Sequence, residues 1–427
     1  MSDLEQRLTE RIDRAIAERV FPGCVVGVVR KSGERLVVPR GRFTYPRTRS
    51  AERDGAGHGD NKSPVVQADS IFDVASITKS IPTASLALQA LEEGQLKLTD
   101  RLIDFVPEFQ NQYREQVTIW NLLTYTLDWQ YDRPTLSAYK DLPARDVLDA
   151  VLHMKLRYPP GRAYFYANPT AILLGLVVER VLGAPLDQLA AERFFRPLGM
   201  TRTTFHPEQL RPSFSKEGGG EVLVPTEIDP WRNRLLQGEV HDEIAAVLQE
   251  IMVPGCAGLF STAPDLLTFL EMLLRGGELG GLASPKPMAQ RGRRYFSEAT
   301  IRDLRVDQLA GRDLEKTLPP GNVYPVRNGI SNGAYRRQRT GLGWELSGGI
   351  EMGSHASPDA FGKTGFTGCV VICDVPRGVG LVILSNTTYP KRKPLEEHRR
   401  VINEFRRDIA DLAFNSNYSF PKGGPPD

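Results

Sequence analysis

The sequence predicts an α/β chain of the α+β type, with an antiparallel sheet built from both chain ends. Terminal helices flank that sheet, and a mostly helical lobe lies between its two halves. Three observations lead there. Short apolar runs with β-branched residues lie near the start (24–30 and 35–44) and near the end (341–347, 368–374 and 379–386). Helix-periodic segments fill the middle. Each terminus carries an amphipathic helix.

In chain order, residues 3–20 repeat Leu4, Leu8, Ile12, Ile16 and Val20 every four positions, the spacing of one helix face. Pro22-Gly23 ends that helix. CVVGVVR (24–30) reads as a buried strand, Gly33 as a turn, and 35–44 as the return strand of a hairpin. Residues 45–64, rich in Arg, Gly, Asp and Ser, read as a loop. Helical pieces follow within 100–107 and 116–129, then at 143–156, 162–183 and 185–200. Residues 201–240 are irregular and contain Gly218-Gly219-Gly220. Helices at 241–251 and 262–277 come next, the second opened by Pro264-Asp265. Residues 278–340 form an irregular excursion with a short helix around 298–310. Strands return at 341–347, and 368–374 pairs with 379–386 across Pro376-Arg377-Gly378. A helix over 395–414 closes the chain. The sheet region is thus 1–75 with 341–420 and the lobe is 76–340, together one unit. The cleft between sheet and lobe is a natural place for a site.

The 427 residues suffice for a sizeable core. A net charge of +2 does not suggest a nucleic-acid partner. Cys24, Cys256, Cys369 and Cys373 sit in apolar surroundings and read as buried thiols. No apolar run reaches membrane-spanning length. The polar amphipathic start has no apolar leader core, so the expectation is a cytoplasmic protein.

Chemistry concentrates in three places. Ser76-Ile77-Thr78-Lys79 opens an apolar-periodic run. An i,i+3 spacing on a helix puts serine and lysine on one face, above a helix start with unpaired N–H groups. A lysine there takes the seryl proton if burial or nearby positive charge lowers its pKa. Tyr166-Ala167-Asn168 stands at the entrance to an apolar helix and offers a phenol for proton relay and an amide for orientation. Lys363-Thr364-Gly365, before Phe366-Thr367-Gly368, offers a cation, a hydroxyl and a glycine that permits close approach. The backbone N–H groups of Ser76 and Phe366 could face a developing oxyanion.

Taken in order, S-I-T-K, Y-A-N and K-T-G resemble the signature of the serine β-lactamase and penicillin-binding protein superfamily. The tyrosine motif resembles the branch holding class C β-lactamases, D-Ala-D-Ala carboxypeptidases and esterases of that fold. Flanking stretches such as FPGCVVGVV, TIWNLLTY, FFRPLGM and AGLFSTAPDL agree, and the resemblance spans about residues 10–412. It implies a β-lactamase/transpeptidase-like fold and a serine hydrolase working through an acyl-enzyme. The implied substrate is a small ester, an amide or a short peptide, with no metal or cofactor required. Ser76 would be the nucleophile, Lys79 its proton acceptor, and Tyr166 the general base and acid. Asn168 would contact Lys79 and substrate. Lys363, Thr364 and Gly365 would hold charge and substrate, and the Ser76 and Phe366 N–H groups would form the oxyanion site. An esterase-like activity leads; a β-lactamase or carboxypeptidase, and a non-catalytic binding member of the fold, are the alternatives.

The chain departs from the family at three points. Phe366 follows Lys-Thr-Gly where a small or hydroxylic residue is usual in lactam-hydrolysing members. The stretch Leu122-Leu123-Thr124-Tyr125-Thr126-Leu127-Asp128 replaces the usual L-L-T-H-T-S-G. Pro82 should bend the helix one turn past the serine. Two other arrangements are weaker. Glu239, His241, Asp242 and Glu243 could be metal ligands, but acids at a helix start read more simply as a cap. No G-x-S-x-G elbow accompanies a Ser-His-Asp triad.

Overall fold

Both chain ends contribute to one six-stranded antiparallel sheet. The computed structural model describes residues 1–46, 63–133, 135–210, 222–279, 292–312, 314, 339–347 and 350–415. Helix α1 (Asp3–Ala17) opens with a capping box: Ser2 Oγ accepts from the Glu5 N–H at 3.2 Å, and Glu5 Oε2 accepts from the Ser2 N–H at 3.3 Å. Strands β1 (Gly23–Arg30) and β2 (Arg35–Gly41) form the expected hairpin. From the other end come β3 (Glu345–Leu346), β4 (Phe361–Thr364), β5 (Val370–Asp374) and β6 (Val379–Ser385). The spatial order is β3-β4-β5-β6-β1-β2, with Cys24 opposite Ser385 and Arg30 opposite Val379 where the two ends join.

Strand alternation divides the sheet between two cores. Val25, Val29, Val371, Val382 and Leu384 face the helical side. Val26, Val28, Ile372, Leu381 and Ile383 face the terminal helices, where they meet Leu8 and Ile12 of α1 and Phe405 and Ile409 of α6 (Leu395–Phe414). Each such aliphatic side chain contributes about 1.5–3 kcal/mol by leaving water. On the helical side α5 (Ala263–Leu274) lies directly on β1, so close that a Cβ at Gly27 would come within 2.8 Å of Leu267 Cδ1. The remaining elements named below are α2 (Ser85–Glu92), α3 (Asn168–Leu182) and α4 (Glu243–Leu248).

Several expectations shift. The strand read at 341–347 is only the pair Glu345–Leu346, and the segment holding Lys363 is itself a strand, β4. The bend past the serine is present: Ile81, just before Pro82, leaves helical geometry at φ −120°, ψ 105°. The helix expected at 298–310 covers Glu298–Asp303. Gly218-Gly219-Gly220 and most of the stretches 45–64 and 315–340 lie outside the described residues. All four cysteines are free and buried, as expected. No single helix among the described residues is long and apolar enough to cross a membrane.

Candidate active site

Ser76 is held by a crossing of two distant segments. Phe72–Asp73 pairs antiparallel with Phe260–Ser261, and the Val74 N–H donates to the Leu259 carbonyl at 3.0 Å. Ala75 then turns at φ +48°, in the left-handed region that costs a non-glycine residue energy. The Asp73 carboxylate supports this turn, accepting from the Ala75 N–H and from the His241 N–H, each at 2.8 Å. Ser76 follows on a five-residue 3-10 turn, Ala75–Lys79, in place of the regular helix start that the sequence suggests. In that geometry residues i and i+3 eclipse. Lys79 Nζ accordingly stands 2.9 Å from Ser76 Oγ.

Lys79 is buried at 1% exposure, and its ammonium also donates to the Cys256 carbonyl at 2.7 Å. Burial brings its pKa down from 10.5 to about 8, with the Lys363 ammonium pushing the same way. Neutral lysine is thus accessible near neutral pH, as proton acceptance from a serine requires.

Tyr166 reaches this pair from the segment ahead of α3. The Phe165 N–H donates to the Tyr125 carbonyl at 2.8 Å, and the Tyr125 and Tyr166 rings pack at 5.2 Å between centroids. Lys79 Nζ lies 5.3 Å and Lys363 Nζ 3.9 Å from the centroid of the Tyr166 ring, so two cations approach this ring. Asn168 begins α3. Its amide donates to Asp242 Oδ2 at 3.0 Å, whereas both hydrogen bonds of Lys79 go to Ser76 and Cys256. The expected Asn168–Lys79 contact is therefore replaced by Asn168–Asp242. Asp242 is also the cap of α4, accepting from the Ala245 N–H at 2.9 Å.

On β4, Lys363 sits opposite Val371 and Thr364 opposite Val370. Alternation turns Lys363 to the helical side with Tyr166, and sets Thr364 on the other face at the strand end. Lys363 is buried at 1% exposure and paired with Glu345 of β3; burial lowers its pKa, and Glu345 opposes that. Thr364 is half-buried, and its hydroxyl has no partner among the described residues. Gly365 has a packing reason: a Cβ there would lie 2.4 Å from the Val74 carbonyl and 3.4 Å from Ala75 Cβ. The end of β4 therefore lies directly against the turn that carries Ser76.

The Ser76 and Phe366 N–H groups have no backbone or side-chain acceptor among the described residues. The Phe366 ring stacks between His241, at 5.7 Å, and His398, at 5.3 Å. Of the candidate metal set, Glu239 pairs with Arg234, His241 contacts Glu227 at 2.8 Å, Asp242 bonds Asn168, and Glu243 pairs with Arg392. Each thus has a separate structural partner.

Sequence reasoning missed Glu345, Asp242 as a partner of Asn168, the Cys256 carbonyl, and Tyr125 as a wall of the site. A charged residue inside the apolar stretch GLGWELS is the signal that could have found Glu345, and the altered stretch Leu122 to Asp128 the one that could have found Tyr125.

A model of the Beta-lactamase family matches residues 8–404. The chain is 25% identical over 421 residues to an Escherichia coli K12 protein named "Putative D-alanyl-D-alanine carboxypeptidase", covering 91% of this chain and 85% of that one. It is 25% identical over 428 residues to N-acetylmuramyl-L-alanine amidase of Bacillus subtilis, covering 94% and 85%. Among solved structures, simvastatin synthase (LovD) from Aspergillus terreus superposes with a TM-score of 0.68 at 20% identity, covering 97% of this chain and 100% of that one. EstCE1, a hydrolase with promiscuous acyltransferase activity, gives 0.66 at 18% identity, covering 96% and 98%. With the six-stranded sheet, its helical lobe and these matches in hand, the chain belongs to the Beta-lactamase family, within the superfamily of serine β-lactamases and penicillin-binding proteins.

Proposed function

We propose that this chain is a serine hydrolase that acylates Ser76 with small esters, and more slowly with amides. The observation that carries this reading is a buried Lys79 amine 2.9 Å from Ser76 Oγ, with its pKa brought down to about 8. A structural lysine would be expected to pair with a carboxylate; this one faces a hydroxyl and a carbonyl.

In the proposed reaction, neutral Lys79 takes the Ser76 proton as Oγ bonds to the substrate carbonyl carbon. The Ser76 and Phe366 N–H groups receive the oxyanion. The proton passes from Lys79 through Tyr166 to the leaving oxygen or nitrogen as that bond breaks. Lys79 and Lys363 beside the Tyr166 ring offset negative charge on the phenol oxygen during transfer. Water then attacks the acyl-enzyme along the reverse proton route and frees the acid. Asn168 and Gly365 border the space where substrate lies, and a role for Thr364 requires substrate to reach its hydroxyl around the end of β4.

Two features favour neutral esters. Glu345 already neutralises Lys363, which weakens its pull on a substrate carboxylate. The Phe366 ring, stacked on His241 and His398, follows the Lys-Thr-Gly stretch, and in this reading it narrows the acyl pocket. A second reading, hydrolysis of a short peptide or amide, draws support from the names of the curated relatives.

Mass spectrometry of the intact protein after treatment with a fluorophosphonate tests the core of the proposal. One adduct is expected on the wild type and none on Ser76→Ala. A broad reactive panel that adds no mass to the wild type would show a binding member of the fold instead. The substrate ranking is tested by kcat/KM for aryl acetates, a chromogenic cephalosporin and a D-Ala-D-Ala peptide, with the acetates expected to lead.

A further inference from the structure

Arg406, on α6, is buried, and its guanidinium reaches the turn that follows β4. Nη2 donates to the Gly365 carbonyl at 3.2 Å and to the Cys369 carbonyl at 3.1 Å, and Nη1 to Asn403 Oδ1 at 3.4 Å. Nε is buried without a hydrogen-bond partner. Among the described residues no carboxylate lies within 4.0 Å of this guanidinium. A buried cation lacking a carboxylate is costly to desolvate, and an apolar residue at that position would avoid the cost. Its return has to come from the two carbonyls it grips.

Those carbonyls belong to a turn already closed by backbone bonds. Gly365 N–H donates to Cys369 C=O at 2.7 Å, and Gly368 N–H donates to Gly365 C=O at 3.1 Å. Thr367 Oγ1 ties the turn to the Asp73 carbonyl at 2.7 Å. The Gly365–Phe366 bond is trans, and in a planar trans peptide the C=O and the next N–H point in opposite directions. A cation held at the Gly365 oxygen therefore fixes the direction of the Phe366 N–H and draws electron density away from it. The other oxyanion donor has the same arrangement. The Ala75 carbonyl accepts from Thr78 Oγ1 at 2.6 Å, which leaves the Ser76 N–H as the open end of its peptide.

The geometry points to Arg406 as a positioning residue for acyl transfer, orienting and polarising the Gly365–Phe366 peptide so that the Phe366 N–H binds the oxyanion more strongly. This rests on the acyl-transfer reading above. Hydrogen bonds in a chain polarise one another, and the effect grows in a low-dielectric interior. Burial brings Arg406 down to about 10, so it remains cationic at neutral pH.

The test uses the full chain acylated at Ser76 by a slow aryl ester labelled with ¹³C at the carbonyl. Difference infrared spectra give the acyl carbonyl stretch, alongside kcat, KM and a melting curve. In Arg406→Met and Arg406→Gln the band is expected to move to higher frequency, toward a free ester, with kcat down about tenfold and KM within about twofold. Arg406→Lys, which keeps the charge, is expected to recover most of both. The glutamine variant gives the same readout if the methionine variant does not fold. A folded Met or Gln variant with an unmoved band and kcat within twofold overturns the inference alone. A folded wild type that forms no labelled acyl-enzyme overturns the acyl-transfer reading first.

Discussion

Replacing Lys79 with methionine should abolish acylation and at the same time stabilise the protein at neutral pH. The fall from 10.5 to about 8 corresponds to about 3 kcal/mol of penalty for holding this ammonium inside the fold. The folded value lies below the unfolded one, so the unfolded chain binds more protons between pH 8 and 10.5. Stability therefore rises with pH across that window. The penalty is near its full size at pH 7 and falls to about 1 kcal/mol at pH 9.5. Methionine has similar length and no charge, so Lys79→Met removes the penalty. It also leaves the Cys256 carbonyl without its 2.7 Å donor, a loss of about 1 kcal/mol. The net gain at pH 7 is about 2 kcal/mol, or a few degrees in Tm, and it should nearly vanish at pH 9.5. Paired melting curves of wild type and variant at the two pH values measure it. The functional counterpart is a wild-type acylation rate that climbs with pH and levels off above about 8, with Lys79→Met and Lys79→Arg both inactive. A variant that melts below wild type at pH 7, or a Tm difference that ignores pH, would refute the reasoning about burial. A flat rate profile from pH 6 to 9 would refute Lys79 as the proton acceptor.

Glu345→Gln should cost about 3–5 kcal/mol, because it strands the buried Lys363 ammonium; a denaturation midpoint change equivalent to under about 1 kcal/mol contradicts the pairing. Phe366→Ala keeps the backbone donor and opens the pocket border, so kcat/KM for branched acyl esters should rise relative to acetate by about tenfold. An unchanged ratio removes Phe366 from the pocket. Burial holds His398 at about 4 against 6.5, so the unfolded chain binds more protons between those values and stability falls as pH drops through them. Between pH 7 and pH 5 this group should account for about 2 kcal/mol of lost stability, absent in His398→Phe; equal acid sensitivity of the two proteins on thermal melting speaks against it.

The sequence by itself determined the strands at the two chain ends, the terminal helices and the three motifs, because each is a local signal. The four-residue repeat over Leu4 to Val20 fits one helix face, CVVGVVR fits a strand buried on both sides, and Pro82 dictates a break one turn past Ser76. The serine–lysine spacing likewise placed two side chains together, since three residues span one turn in either helix type. What surrounds that pair was decided by tertiary structure. Tyr166 and Lys363 come to Lys79 only because the sheet closes the two chain ends around the helical lobe. Whether a charge is buried, and what it faces, depends on packing between segments far apart in the chain. That is why Lys363 meets Glu345, Asn168 meets Asp242 rather than Lys79, and Arg406 meets two carbonyls rather than an acid. Residue types announce which charges exist; only the packed interior sets their solvation, and with it the pKa that lets a lysine accept a proton.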